Sequence, residues 1–361
     1  MPKRLVFFNG ANRRDMKIAL DAMGGDRAPA AIVEGAVLAA KEYDVALILV
    51  GDKDAVSSEL AKYDTEGCSI SIIHASQVVD MHDTPSMVIR KKRDSSIWVA
   101  TKLVKDKEAV AVISAGNTGA AMAAAFFVLG TIKGVERPAI ATLLPTISGT
   151  TIMIDVGANV DCKAEHLFQF AIMGDIYAKY IYKKTSPKIG LLSIGEEATK
   201  GNEVTKEAFG YLKEADINFI GNVEGRDVYQ GNADVIVCDG FIGNVALKIS
   251  EGLADAIGKM LKKEIANTRF GRLGYMFLKP AFTNFRKRVD YSEYGGAPLL
   301  GVNGISIISH GRSSPKAIKN AIKVAKEFHE SKVIEHIQSD ILKSMNIYKK
   351  KKNSNTKKGS A

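Results

Sequence analysis

AVAVISAGNTGAAMAAAFFVLG, residues 109–130, reads as a buried strand, a tight polar turn over residues 114–119 and an alanine-rich helix. That order makes an anion site. Gly116 and Gly119 let the backbone turn sharply, Ser114, Asn117 and Thr118 offer side-chain donors, and the first amides of the helix have no intrahelical acceptor. A phosphate or a carbonyl oxyanion fits such a turn. Alone, the pattern is also an ordinary strand-to-helix connection; repetition gives it weight. Four more short, charge-poor, β-rich runs end in similar chemistry: IALDAMGGD (18–26), TIMIDVGAN (151–159), IGLLSIGEE (189–197) and DVIVCDGFIGN (234–244). Helical spacing fills the segments between them, as in residues 30–40 and 163–179. Alternating β and α segments predict a doubly wound α/β fold with a parallel sheet, and ligands bind such sheets at the carboxyl ends of the strands. The five polar loops are therefore expected to share one cleft.

Composition narrows the class. A chain of 361 residues can bury a large core, as two lobes or one large α/β unit with an addition. Cys68, Cys162 and Cys238 form no CxxC pair, so neither a disulfide framework nor a structural zinc site is expected, and a reducing cytoplasm is. The six histidines share no metal-ligand spacing, and no metal is expected. Residues 1–15 carry an apolar piece far too short for a signal peptide and are expected to be an upstream extension, with a natural beginning at Met16. Residues 109–132 are free of charge and long enough to raise the question of a membrane span, but the polar turn at their centre argues against it.

The net charge of +10 is uneven: residues 1–16 carry +3, 262–288 carry +7 and 349–361 carry +6, which leaves −6 for the remainder. The lysine-rich stretch 345–361 is expected to be a solvated tail beyond a domain spanning 16–340. Nothing accompanies these charges that reads nucleic acid. Residues 253–288 differ from the tails because they are also strongly apolar. Ile257, Leu261 and Ile265 mark one helical stripe, and Phe270, Leu273, Phe277, Ala281 and Phe285 another, so a protruding amphipathic helical hairpin is expected. It suits a dimerisation arm or core helix, an anionic membrane surface, or an acidic carrier protein. Arg269, Phe270, Arg272, Leu273, Phe277 and Lys279 are its candidate contacts.

Twelve motifs occur in a fixed order: IALDAMGGD, RKKRDSS (90–96), SAGNTGA, RPA (137–139), LLP (143–145), DVGAN, QFAIMG (169–174), LLSIGEE with KGNE (200–203), FIGNVEGRD (219–227), DGFIGN, EYGGAPLLG (293–301) and SHGRSS (309–314). Over residues 16–335 the chain resembles the bacterial acyl-carrier-protein:phosphate acyltransferases of phospholipid synthesis. The resemblance implies transfer of a fatty acyl group from acyl-carrier protein to inorganic phosphate, which gives an acyl-phosphate. The product would pass to a membrane-bound glycerol-3-phosphate acyltransferase. It further implies a homodimer, no cofactor, a cytoplasmic enzyme associated with the inner face of the membrane, and a three-layer α-β-α fold of the isocitrate/isopropylmalate dehydrogenase and phosphotransacetylase type. Arg93 stands where lysine is commoner in that family, and Ser193 where asparagine is often found.

Phosphate is already a nucleophile and a thiolate a tolerable leaving group, so positioning and charge stabilisation should dominate. Ser114, Gly116, Asn117, Thr118 and Gly119 are the expected cradle, with Lys92 or Arg93 as its cation. Asp155, Asn159, Glu196, Asn222, Glu224, Asp239 and Asn244 are expected to line the same mouth, the acids among them either handling a proton or capping helices. His310, in the turn ISHGRSS, is a candidate donor to the carbonyl oxygen or the departing thiolate. A route through acyl-Cys162 or acyl-Cys238 is disfavoured because no basic partner is fixed beside either sulfur. A nicotinamide dehydrogenase lacks its GxGxxG, and the chain has no Walker loop. A phosphotransacetylase acting on short acyl-coenzyme A and a non-catalytic membrane scaffold are the other readings.

Overall fold

The computed structural model describes residues 16–268, 271–289 and 295–358. The expected extension at 1–15 and the contact residues Arg269 and Phe270 lie outside the described residues, as do the side chains of Arg272 and Leu273. Eleven strands form one sheet in the order β3-β2-β1-β4-β11-β10-β5-β6-β9-β7-β8. In chain order these are β1 (Lys17–Asp21), β2 (Ala46–Gly51), β3 (Ile70–His74), β4 (Ala111–Ser114), β5 (Ala139–Thr146), β6 (Gly149–Ile154), β7 (Ile189–Leu192), β8 (Phe219–Val223), β9 (Val235–Val237), β10 (Ala297–Leu300) and β11 (Ile305–Ile308).

Alternation along the strands builds two cores. Ile18 and Leu20 of β1 face one layer, where α1 (Ala30–Tyr43), α2 (Lys53–Leu60), α6 (Ala164–Tyr180), α7 (Glu203–Leu212), α10 (Pro315–Glu330) and α11 (Val333–Lys358) pack. Ala19 faces the other, with α4 (Ser96–Lys105), α5 (Thr118–Ala124) and the π-helical segment Ala125–Leu129 that continues α5. Helix on both faces explains why the strands are apolar throughout rather than alternating in polarity.

The sheet is mixed, which corrects the parallel expectation. β3, β2, β1, β4 and β11 run parallel; β10 opposes both β11 and β5; β5 and β6 form an antiparallel pair; and β6, β9, β7 and β8 run parallel again. The hairpin that reverses direction turns at residues 147–148, where Thr146 pairs with Gly149 and Gly149 takes φ 156°. Two parallel blocks therefore point opposite ways. Loops after β1, β4 and β11 leave one edge of the sheet, and loops after β6, β7, β8 and β9 leave the other. The five polar loops therefore leave the sheet in two groups, from opposite ends of its strands.

Two further expectations change in extent. α8 (Gly240–Asn267) begins directly after β9, well before residue 253, and packs against α9 (Gly271–Val289), which carries Gly274 and Pro280 within it. Phe241, Val245, Ile249, Leu253 and Ile257, spaced by four along α8, are all exposed in the single chain. At the carboxyl end, α11 runs past residue 340 to Lys358, and Met345 and Tyr348 are buried in the core beside Phe168 of α6. The stretch from 345 is thus in part a packed helix, because Ile337, Ile341, Met345 and Tyr348 recur at helical spacing on its inner side.

Candidate active site

Three loops interlock around the turn after β4. Ser309 of the β11 loop donates its amide to Ser114 O at 2.8 Å, and Asp26 of the β1 loop donates its amide to Gly311 O at 2.8 Å. Gly24 lies so near that a Cβ there would stand 3.0 Å from the Gly116 amide nitrogen. Gly25, at φ +106°, backs onto Ala115 O, a conformation and a contact that a side chain would block.

The polar side chains of the turn are committed to its own shape. Ser114 Oγ donates to Asp21 Oδ2 at 2.7 Å and accepts the Gly116 amide at 3.1 Å. Asn117 caps α5 by accepting the Ala120 amide at 3.0 Å, while its Nδ2 donates to Met81 O at 2.9 Å and Asp83 O at 3.0 Å. These two residues were expected to face a ligand and instead hold the turn and the 80–83 loop. What the turn offers outward is the half-buried start of α5, with Thr118 exposed, and first-turn amides that a helix leaves without internal acceptors. Gly119 is small because Pro85 of α3 (Pro85–Lys91) lies where its Cβ would be, at 2.9 Å.

The expected cations are also engaged. Lys92 Nζ bonds to the Asp83 carboxylate and to Val78 O at 2.8 Å, with Asp80 at 3.7 Å, so its charge is neutralised within the 78–83 loop; Lys92 holds Asp83 below the ordinary carboxylate range. Arg93 donates to Ile89 O at 2.8 Å and stands over the Trp98 ring. His310 is half-buried. Its Nδ1 accepts the Arg312 amide at 3.1 Å, which assigns the neutral ring's proton to Nε2. Burial pushes its pKa below the ordinary 6.5, and Lys248 of α8 and Arg312 press the same way against Glu251 and Asp26. Asp21, Asp83 and Met81, which the sequence reading did not select, belong to this site. The signal for Asp21 lies in residues 18–21 themselves, an acid closing an all-apolar strand.

The opposite edge holds a different structure. Asp155, with no exposed surface, accepts the amides of Ile140 (2.9 Å), Ala158 (3.0 Å) and Asn159 (2.7 Å) and the Asn159 side chain (2.9 Å). Asn159 also donates to Pro138 O at 2.7 Å, Asp239 caps α8 through the Ile242 amide at 2.8 Å, and Asn244 lies beside Gly157. Asn222 donates to Glu197 O at 2.8 Å, and exposed Glu196 and half-buried Glu224 pair with Arg226 at 3.1 and 3.4 Å. Of the two roles open to these acids, this geometry matches capping and loop anchoring. Burial raises the Asp155 pKa, and raises that of Cys162, with Asp155 adding to it, to about 12. Cys238 is buried, donates to Asp155 O at 3.4 Å and is pushed well above its ordinary range. Neither thiol is poised as a nucleophile. Among the described residues no cluster of His, Cys, Asp or Glu is arranged to hold a metal, and no helix is long and apolar enough to cross a membrane.

This fold and a glycine-rich turn at the carboxyl ends of parallel strands define an α/β protein of phosphotransacetylase-like architecture. The chain is similar to a phosphotransacetylase structure from Streptococcus pyogenes, at TM-score 0.60 and 20% identity over 89% of this chain and 94% of that one. Residues 16–336 match the family described as fatty acid synthesis protein. Two relatives called phosphate acyltransferase are 59% identical over 87% of this chain and 89% of theirs (Citrifermentans bemidjiense) and 56% identical over 90% and 95% (Pelotomaculum thermopropionicum). The chain belongs to the phosphate acyltransferase family, and it is an acyltransferase of lipid synthesis.

Proposed function

We propose that the enzyme transfers a fatty acyl group from the thioester of acyl-carrier protein to inorganic phosphate. A phosphate oxygen attacks the carbonyl carbon, the carbon–sulfur bond breaks, and the proton of the phosphate ends on the departing thiolate. The products are an acyl-phosphate and the free carrier thiol. The observation that carries this reading is the turn over 114–119, whose side chains fix the backbone and leave main-chain amides as its donors, and to which the His310 loop is tied through the Ser309 amide. Fixed amides suit a phosphate or a developing oxyanion because they need no reorganisation during reaction. His310 Nε2–H is suited to the carbonyl oxygen. Cys162 and Cys238, with raised pKa values, support direct attack rather than an acyl-enzyme.

The remaining partners follow from surface character. Residues 262–288, at +7, complement an acidic carrier, and exposed Met276, Phe277, Leu278 and Phe285 beside Lys279 suit an anionic membrane surface, where a lipid-tailed product would meet a membrane-bound glycerol-3-phosphate acyltransferase. The exposed stripe of α8 suits a second copy of the chain, and a cytoplasmic, membrane-associated homodimer is the proposed working form. The likeness in fold to phosphotransacetylases favours one other donor, a short acyl-coenzyme A. Purified protein with phosphate and either long-chain acyl-carrier protein or acetyl-coenzyme A decides between them. Phosphate-dependent thiol release from the carrier alone is expected; release from acetyl-coenzyme A alone would favour the second donor, and none from either would leave the scaffold reading.

A further inference from the structure

Asp21 is 3% exposed, the leading influence on its carboxyl is burial, and among the described residues no lysine or arginine forms an ion pair with it. Its surroundings are hydroxyls and amides: Ser114 Oγ at 2.7 Å, with Ser96 and the amides of Met23 and Gly24 close enough to favour the charged form. Oδ1 is left without a hydrogen bond of good geometry. A carboxyl taken out of water without a cation costs stability rather than supplying it, and burial accordingly raises its pKa. The acid is therefore kept for something other than folding free energy.

We propose that Asp21 is a positioning residue of the anion turn and acts through Ser114 on the Gly116 amide. A serine hydroxyl has one proton and two lone pairs. Asp21 Oδ2 accepts the hydrogen bond of the Ser114 hydroxyl, which turns a lone pair of Ser114 Oγ toward the Gly116 N–H. With that amide held inward, the chain from Gly116 into α5 has one orientation, and the amides that follow face outward. The glycines beside it make room for the arrangement: a Cβ at Gly24 would collide with Asp21 Oδ2, and one at Gly116 would stand 3.3 Å from Ser114 Oγ. β1 and β4 are neighbours in the sheet, pairing Leu20 with Ile113, so the acid and the serine leave adjacent strands side by side. The inference rests on reading residues 114–119 as the phosphate turn.

The test is inorganic phosphate binding to the full chain by titration calorimetry, together with the KM for phosphate and for the acyl donor. Ser114→Ala and Asp21→Ala are each expected to weaken phosphate by about tenfold or more, with the donor KM within about twofold. The double variant should be no worse than the poorer single one, because both changes free the same amide. Asp21→Asn keeps an acceptor for the serine and is expected to recover most of the loss. Additive losses, an unchanged phosphate affinity in Ser114→Ala, or equal shifts in both KM values would overturn the proposal. Should Asp21→Ala fail to fold, Ser114→Ala and Asp21→Asn decide it by the same criteria. Phosphate binding that depends on both residues in a protein transferring no acyl group would sink the proposed reaction and keep this inference. Acyl transfer indifferent to both would do the reverse.

Discussion

Asn117 concentrates the difference between a residue that touches a ligand and one that builds the place for it. Its Oδ1 caps α5 and its Nδ2 holds the carbonyls of Met81 and Asp83, so Asn117→Ala should cost about 1 kcal/mol or more of stability through the cap alone. Asn117→Asp keeps the cap and loses the donors to the 80–83 loop. Thermal melts should find the aspartate variant the more stable of the two, while phosphate KM rises in both; a normal KM in either would remove this residue from the site. His310 sets a pH limb. Its pKa is lowered in the fold, so the folded chain binds fewer protons than the unfolded one as pH falls below 6.5. Its contribution to stability is complete above that value and lost as pH drops toward the folded pKa. Activity should fall over the same acid range, because the protonated ring loses the Nδ1 acceptor for the Arg312 amide that orients it. Replacing His310 with Gln, which keeps a donor but does not titrate, should flatten the acid limb of kcat; a limb that survives belongs to another group. Cys162→Ala with Cys238→Ala should retain most activity, and an isolable acyl-cysteine would refute direct attack.

At the scale of elements, α9 carries the sharpest question. Phe277 is 75% exposed and Met276 59%, values that a core helix would not show in its own chain. Glutamate at both positions should abolish binding to anionic vesicles in a flotation assay and leave turnover of soluble acyl-carrier protein within about threefold. Loss of the dimer or of the fold instead would assign these side chains to an interface and end the membrane reading. Apolar insertion should also survive added salt better than carrier docking, which depends on screened charge. The β5–β6 hairpin matters in another way. By reversing the sheet it separates the Ser114 turn from the Asp155 knot, and it makes Asp155, Asn159 and Asp239 anchors of α8 rather than neighbours of the phosphate turn.

Across the whole molecule, charge and packing divide at the carboxyl end. Tyr348 is 4% exposed and meets Phe168 and Tyr211, and residues 349–361 after it carry +6 in the sequence. Tyr348→Ala should destabilise the protein by about 3 kcal/mol or more. Ending the chain after residue 349 should leave the melting temperature nearly unchanged. A similar melting loss from both changes would show that the lysine segment contributes to the fold.

The sequence by itself determined the alternation of strand and helix, the turn over 114–119 and the family, because apolar runs, glycines at sharp turns and ordered motifs are local properties that neighbours in the chain fix. It marked Asp155, Asn159 and Asp239 as special, since polar residues closing buried strands need partners. It did not say which partners. That Asn117, Ser114 and Lys92 are consumed within the turn and its supporting loop, that Asp21 stands beside Ser114, and that Met345 and Tyr348 enter the core all depend on contacts between segments far apart in sequence. Strand direction is the clearest case. A buried strand looks the same to its own residues whichever way its neighbours run, so only the assembled sheet, reversed at residues 147–148, decided which polar loops share an edge.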